Sequence, residues 1–131
     1  MTPLFRETVT ILNRRVAEDG DGLDVWKKTV LTGCVFVRTT VRIVSCADVS
    51  IGQTVTVRIP ESPDYHPYQE WKGNMKGFTA SVGDIVAHGK VTEDVNPDNI
   101  RELIGRYEFM TVRSVRDNTG LPLGHIHLEG V

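Results

Sequence analysis

The chain has 131 residues, of which 24% are charged, and a formal net charge of −2 at pH 7. This length limits it to a single domain, residues 1–131, because most domains contain about 100–150 residues. Valine, isoleucine and threonine account for 39 residues and alanine for only four, a composition that favours strands and argues against a helical bundle or coiled coil. No basic surplus indicates a sequence-independent nucleic-acid binder, although a neutral average leaves room for a local basic patch.

The N-terminal residues lack the apolar stretch of a signal peptide, and no run approaches the ~20 apolar residues of a membrane span. We therefore expect a protein that is made and kept in the cytoplasm, or in a structure assembled there, and that has no membrane partner. Cys34 and Cys46 lie in apolar runs. Both are expected to be buried and reduced, because a free thiol in such a run behaves as a small hydrophobe.

The first part of the chain is predicted to form strands. Phe5 to Val16 begins as an alternation of apolar and polar residues, and the acidic, glycine-containing run at 18–22 supplies a tight turn. Leu23 to Val30 is then expected to fold back on the first strand. Cys34 to Val44 is long enough for one bent strand or two short ones.

Thr54 to Ile59 has the clearest alternation in the chain, which assigns Val55, Val57 and Ile59 to the core. One short α-helix is predicted around Pro97 to Ile104, since Asn96 can cap it and Gly105 can end it. The other predicted strands are Phe78 to Ala80, Ile85 to Ala87, Lys90 to Val91, Tyr107 to Val115 and a final strand at His125 to Leu128.

The segment from Pro60 to Gly77 has a different character, with three prolines, two tyrosines and a tryptophan but neither helical nor strand periodicity. Loops longer than about 12–15 residues in a compact domain are usually functional. The residues predicted to make contacts here are Tyr65, His66, Tyr68, Trp71, Lys72, Met75 and Lys76. Three roles stay open: stacking and phosphate contacts to single-stranded nucleic acid, packing of the loop onto the barrel, and docking on a neighbouring subunit.

His125 and His127 are two residues apart, so in a strand both project from one face and resemble half of a metal site. They fit the solvated face of a terminal strand better, because no tight Cys/His constellation accompanies them. We therefore expect no metal, and we predict inter-subunit contacts for this pair. No nucleophile, phosphate-binding or dinucleotide motif is visible, so we expect neither an enzyme nor a cofactor.

Several short motifs give the chain a resemblance to the small neck proteins of long-tailed bacteriophages and prophages, which include head-closure, head-tail connector and tail-completion proteins. The resemblance spans most of the chain and is carried by Thr8-Val9-Thr10-Ile11, Asp19-Gly20-Asp21-Gly22, Val25-Trp26, Val82 to Gly89, Ser114 to Asn118 and His125 to Leu128.

This resemblance implies a β-barrel that assembles as a ring, six- or twelve-fold, between the portal or adaptor and the tail proteins of a virion. Packaged DNA passes through such a ring without sequence readout, and in related stoppers a long loop gates it. Here Glu61, Asp64 and Glu70 would place acid near DNA, which favours a subunit contact over a gate. The implied location is the virion neck, after assembly in the cytoplasm of the host bacterium.

The prediction is therefore a mainly β domain, a small partly open barrel of about six to eight strands with one short helix and a long projecting loop at 60–77. Its expected function is structural, as a ring-forming head-tail connector or head-closure protein lining the DNA channel. An unpaired terminal strand is expected to offer an edge to a neighbour. The alternatives are a tail terminator or tail-tube subunit, and a monomeric nucleic-acid-binding barrel that uses Tyr68, Trp71, Lys72 and Lys76.

Overall fold

The computed structural model describes residues 7–15, 25–44, 49–95, 99–118 and 124–131. Three of the sequence predictions lie outside these ranges. They are the turn at 18–22, the burial of Cys46 and the helix start at 96–98. The described residues form six strands and two short helices, which confirms the predicted mainly β class. In chain order these are β1 Glu7–Arg15, β2 Val25–Val44, β3 Val49–Pro60, α1 Tyr68–Asn74, β4 Ile85–His88, α2 Ile100–Ile104, β5 Phe109–Asp117 and β6 His125–Gly130.

The strands form a closed antiparallel barrel in the order β1-β2-β3-β6-β5-β4, with β4 pairing back onto β1. The barrel is therefore closed rather than partly open. The prediction that the terminal strand is unpaired was wrong, because β6 pairs with β3 on one side and with β5 on the other. Closure of this kind removes the free edges that an open sheet would expose.

Closure depends on β2 and β5, each of which pairs with one strand in its first part and with another in its second part. The first part of β2 pairs with β1 and its second part pairs with β3, so the predicted strands at 23–30 and 34–44 belong to one long strand. One extra residue on β2 separates the pair Glu7–Cys34 from the pair Val9–Leu31. Gly33 lies at this bulge with a φ of 69°, a conformation that glycine adopts without strain, and the bulge bends β2 around the barrel.

Inward-facing side chains, which alternate with outward-facing ones along each strand, fill the barrel interior. Val55, Val57 and Ile59 are buried as predicted and pack with Ile11 and Val86, among others. Cys34 is a buried free thiol, also as predicted, and its burial raises its pKa to about 12. At neutral pH this side chain is therefore protonated and behaves as part of the core.

β1 is buried on both faces, because the connection between β4 and β5 covers its outer side. Leu12 packs there against Ile85 and Ile100, a residue of α2. The Thr10 hydroxyl donates a hydrogen bond to the Gly89 carbonyl at 2.8 Å and is tied into the same connection. This explains why the polar and apolar positions of β1 between Val9 and Asn13 are all buried.

α2 begins at Ile100, later than the predicted Pro97, and Asn99 precedes it without a side-chain capping hydrogen bond. Asn99 instead donates to the Asp94 carbonyl at 2.7 Å. The helix ends before Gly105, as predicted, although the φ of this glycine is −64°, which any residue can adopt. Neither described helix is long and apolar enough to cross a membrane.

Candidate functional site

The segment from Pro60 to Gly77 lies across one end of the barrel rather than projecting from it. It contains α1, which no periodic pattern in this segment predicts. Lys27, an inward-facing residue of β2, donates to the carbonyls of Met75 at 2.6 Å and Gly77 at 2.8 Å. An ammonium group at the C-terminal end of a helix satisfies carbonyls that the helix leaves unpaired, so Lys27 fastens the segment to the barrel.

The aromatic residues of this segment pack inward to different extents. Trp71 is completely buried, and its Nε1 donates to the Gly77 carbonyl at 3.4 Å. Tyr68 packs against it with the ring centroids 6.1 Å apart, and Tyr65 meets Phe78 edge-on at 5.7 Å. Trp71 is therefore an anchor of the fold in this conformation, and its ring has no face open for stacking on a base.

The other predicted contact residues of the segment are more accessible. His66, Tyr68, Lys72 and Met75 are partly buried, and Lys76 is exposed. His66 lies 4.0 Å from Glu70 through Nδ1 and Oε2. We name residues 60–77 the cover. These side chains lie on its outer surface, where they can contact a partner without the segment being mobile.

Beside this cover lies a buried carboxylate, Asp84, which is 1% exposed. It accepts hydrogen bonds from Asn13 Nδ2 at 2.9 Å, the Arg14 amide at 3.0 Å and the Ser81 amide at 2.9 Å. Burial raises the pKa of Asp84, and these three donors oppose the rise. An open cavity of about 310 Å³ borders it, lined by Arg14, Tyr68, Ser81, Val82 and Asp84.

His125 and His127 both face outward from β6, with their ring centroids 6.3 Å apart. His127 Nε2 lies 2.9 Å from Glu129 Oε1. Because β6 is flanked by strands on both sides, this pair lies on a sheet face and not on a strand edge. Within the described ranges, His, Cys, Asp and Glu side chains do not form a group of three that could hold a metal ion.

The most prominent feature that sequence reasoning missed is a two-stranded hairpin beyond the barrel, which we name the arm and define as residues 39–44 and 49–54. Its strands pair from Thr39–Thr54 to Val44–Val49, a length of about 20 Å at ~3.3 Å per residue. In the described part of the chain, β6 pairs with β3 as far as the Gly130–Val55 pair, and β1, which is described from Glu7 onward, pairs with β2 as far as Cys34. Among the described residues, no third strand pairs with either edge of the arm.

The base of the arm is held to the barrel by Arg38. Its Nε lies 2.9 Å from Glu108 Oε1, and its terminal nitrogens donate to Gln53 Oε1 at 3.2 Å and to the Phe109 carbonyl at 3.5 Å. Arg38 lies two residues from the core residue Phe36, and Glu108 lies two residues from the core residue Met110. By strand alternation they face the interior at the end of the barrel opposite α1.

His88 completes this polar end of the barrel. Its Nε2 lies 2.8 Å from Glu7 Oε2, its Nδ1 lies 3.4 Å from Glu108 Oε2, and its ring stacks on Phe36 with the centroids 4.5 Å apart. The hydrogen bond to Glu7 is the largest cause that raises the pKa of His88, and burial opposes it. The pKa of Glu108 is lowered by its hydrogen bonds to Arg38 and His88. The cluster links β1, β4 and β5 to the base of the arm.

The chain was compared with known protein families, curated proteins and solved structures. A family model described as "Family of unknown function (DUF6751)" matches residues 4–131, and the chain therefore belongs to this family. No curated protein and no solved structure matches the chain significantly.

Proposed function

We propose that this chain, a member of the DUF6751 family, is a structural protein that forms a ring in the neck of a tailed phage as a head-tail connector or head-closure protein. The observation that carries the proposal is the arm, whose two strand edges have no partner among the described residues. An isolated two-stranded hairpin is only marginally stable in water. An arm of this length is therefore best stabilised by strand pairing with a neighbour.

The two edges of the arm suit a ring because they are different. One edge belongs to β2 and the other to β3, so pairing between them joins two different surfaces of neighbouring subunits. Such a head-to-tail contact generates a closed ring when its rotation closes. In the proposal, the β3 edge of one arm pairs with the β2 edge of the next, and the six- or twelve-fold symmetry follows from the resemblance to neck proteins.

The remaining partners are assigned to the other predicted surfaces. The cover formed by residues 60–77 meets the portal or adaptor or the tail proteins, and packaged DNA passes through the channel. A tail terminator or tail-tube subunit is the second candidate, since it shares ring assembly and would use the same arm. The buried Trp71 argues against the monomeric single-strand binder, whose stacking platform would need that ring exposed.

Gene order tests the phage assignment. If the gene lies in a prophage, with terminase, portal and capsid genes upstream and tape-measure genes downstream, the neck proposal is supported. A gene that lies consistently outside such clusters contradicts it. A position directly after the other neck genes and next to the tail-tube gene would favour the tail terminator over head closure.

A further inference from the structure

Two arginines and a histidine lie in a row across three neighbouring strands on the outer face of the barrel. Arg58 of β3 pairs directly with His127 of β6, and His127 pairs in turn with Arg116 of β5. We name Arg58, His127 and Arg116 the arginine face. Sequence reasoning singled out only His127, because the two arginines are far apart in the chain. Only the strand order brings them to either side of His127.

The orientation of the row follows from strand alternation. The neighbours Val57, Leu128 and Val115, which are themselves paired across the same strands, pack into or against the core. The residues one step along each strand therefore point outward. Arg116 is exposed, and the side chain of His127 keeps 15% of its surface accessible.

The two arginines have no acidic partner among the described residues. The carboxylate nearest along β6, Glu129, is engaged by His127 at 2.9 Å. The Nε of Arg58 is buried and makes no hydrogen bond to any described residue. The row therefore presents two guanidinium groups, one on either side of His127, that an anionic partner can bind.

We propose that the arginine face binds the phosphate backbone of double-stranded DNA without reading its sequence. Guanidinium groups match phosphate oxygens with two parallel hydrogen bonds. The next row on the same face is Thr56, Glu129 and Ser114; its two hydroxyl side chains are common phosphate donors, and its one carboxylate lies 2.9 Å from His127 Nε2. These two rows offer no large apolar anchor of the kind that dominates protein interfaces, which favours a nucleic acid over an acidic protein.

The expected binding is weak and depends steeply on salt. Two or three phosphate contacts give a slope of about −2 to −3 in a plot of log K against log salt concentration. Binding of this strength holds DNA near the surface while it moves past, as a channel wall requires. That role rests on the proposed function, whereas the binding itself does not require a ring.

The test is fluorescence anisotropy of the full-length protein with a short labelled duplex of mixed sequence, titrated at about 50 and 200 mM salt. We expect R58Q and R116Q each to weaken binding about tenfold at the lower salt and to reduce the salt slope by about one. The matched control is R101Q, which removes the same charge from an exposed position on α2. The double variant K72Q/K76Q tests the alternative binding site on the 60–77 segment.

Each outcome decides the inference. Loss in R58Q and R116Q with retention in R101Q and K72Q/K76Q supports the arginine face. No binding by the unaltered protein at the lower salt, equal loss in all variants, or loss only in K72Q/K76Q overturns it. If R58Q and R116Q instead leave DNA binding intact and change the mass of the assembly, the face is a protein contact and the inference fails. Variants of the arm test ring formation separately, so failure of one proposal is distinguishable from failure of the other.

Discussion

Nε of Arg38 lies 2.9 Å from Oε1 of Glu108, and this ion pair joins the base of the arm to the beginning of β5. We predict that E108Q loosens the arm without unfolding the barrel. The pair is partly exposed, so the free energy of unfolding should change little. Hydrogen exchange should show faster amide exchange in residues 39–44. E102Q, which breaks the exposed pair with Arg106 on α2, is the control, and equal acceleration in both variants would contradict the assigned role.

The cluster around His88 predicts a pH dependence of stability. The raised pKa of His88 in the folded state means that the imidazolium stabilises the fold. This contribution is complete below the unfolded pKa of about 6.5 and is lost as the pH rises through the folded pKa. Urea unfolding of the native protein and H88Q across this range should show a difference that shrinks as the pH rises. A constant difference would contradict the coupling of His88 to Glu7 and Glu108.

Asp84 is predicted to be one of the most sensitive polar positions in the barrel. D84A would remove an acceptor from Asn13 Nδ2 and from the amides of Arg14 and Ser81 in a buried site, although Asn13 Nδ2 keeps its hydrogen bond to the Thr79 carbonyl. Each lost partner of a buried donor costs about 1–3 kcal/mol, so we expect loss of at least ~3 kcal/mol in urea unfolding. D94A, an exposed carboxylate, should have little effect, and a mild effect of D84A would show that water replaces these hydrogen bonds.

Trp71 is predicted to hold the 60–77 cover in place. Because the side chain is completely buried, W71A should reduce the free energy of unfolding by about 3–5 kcal/mol. W71F should cost less, since it keeps most of the apolar volume. K76A alters an exposed residue of the same segment and should leave stability unchanged. A near-neutral W71A would mean that the cover contributes little to the barrel.

The sequence was most informative where one face of a strand is buried. The alternation of Val55, Val57 and Ile59 predicted β3 correctly, because period-two burial is local. The segment around Trp71 was predicted as a projecting loop, with packing onto the barrel as one of three open roles, because a seven-residue helix without an amphipathic repeat leaves no periodic pattern. Its position depends on Lys27, a contact between residues far apart in the chain.

The parts that could not be predicted are those set by strand order. Tertiary pairing decides that β6 is paired on both sides, which closes the barrel, and that Arg58 and Arg116 flank His127. The arm could not be predicted from the sequence for a related reason. Thr39 to Val44 has the pattern of a barrel strand, and the pairs that the described residues of β1 and β6 form with β2 and β3 stop before the arm.

The central claim is that the arm joins subunits into a ring. Its most direct test is the solution mass, by light scattering over a range of concentrations, of the unaltered chain and of a variant in which Asn-Gly joins Thr39 directly to Thr54. This variant removes the arm beyond a pair of directly opposed residues, and a two-residue turn suits such a hairpin. We predict a closed multiple of the subunit mass for the unaltered chain and a folded monomer for the variant. An unaltered chain that stays monomeric at every concentration, or a variant that still forms the ring, would contradict the account.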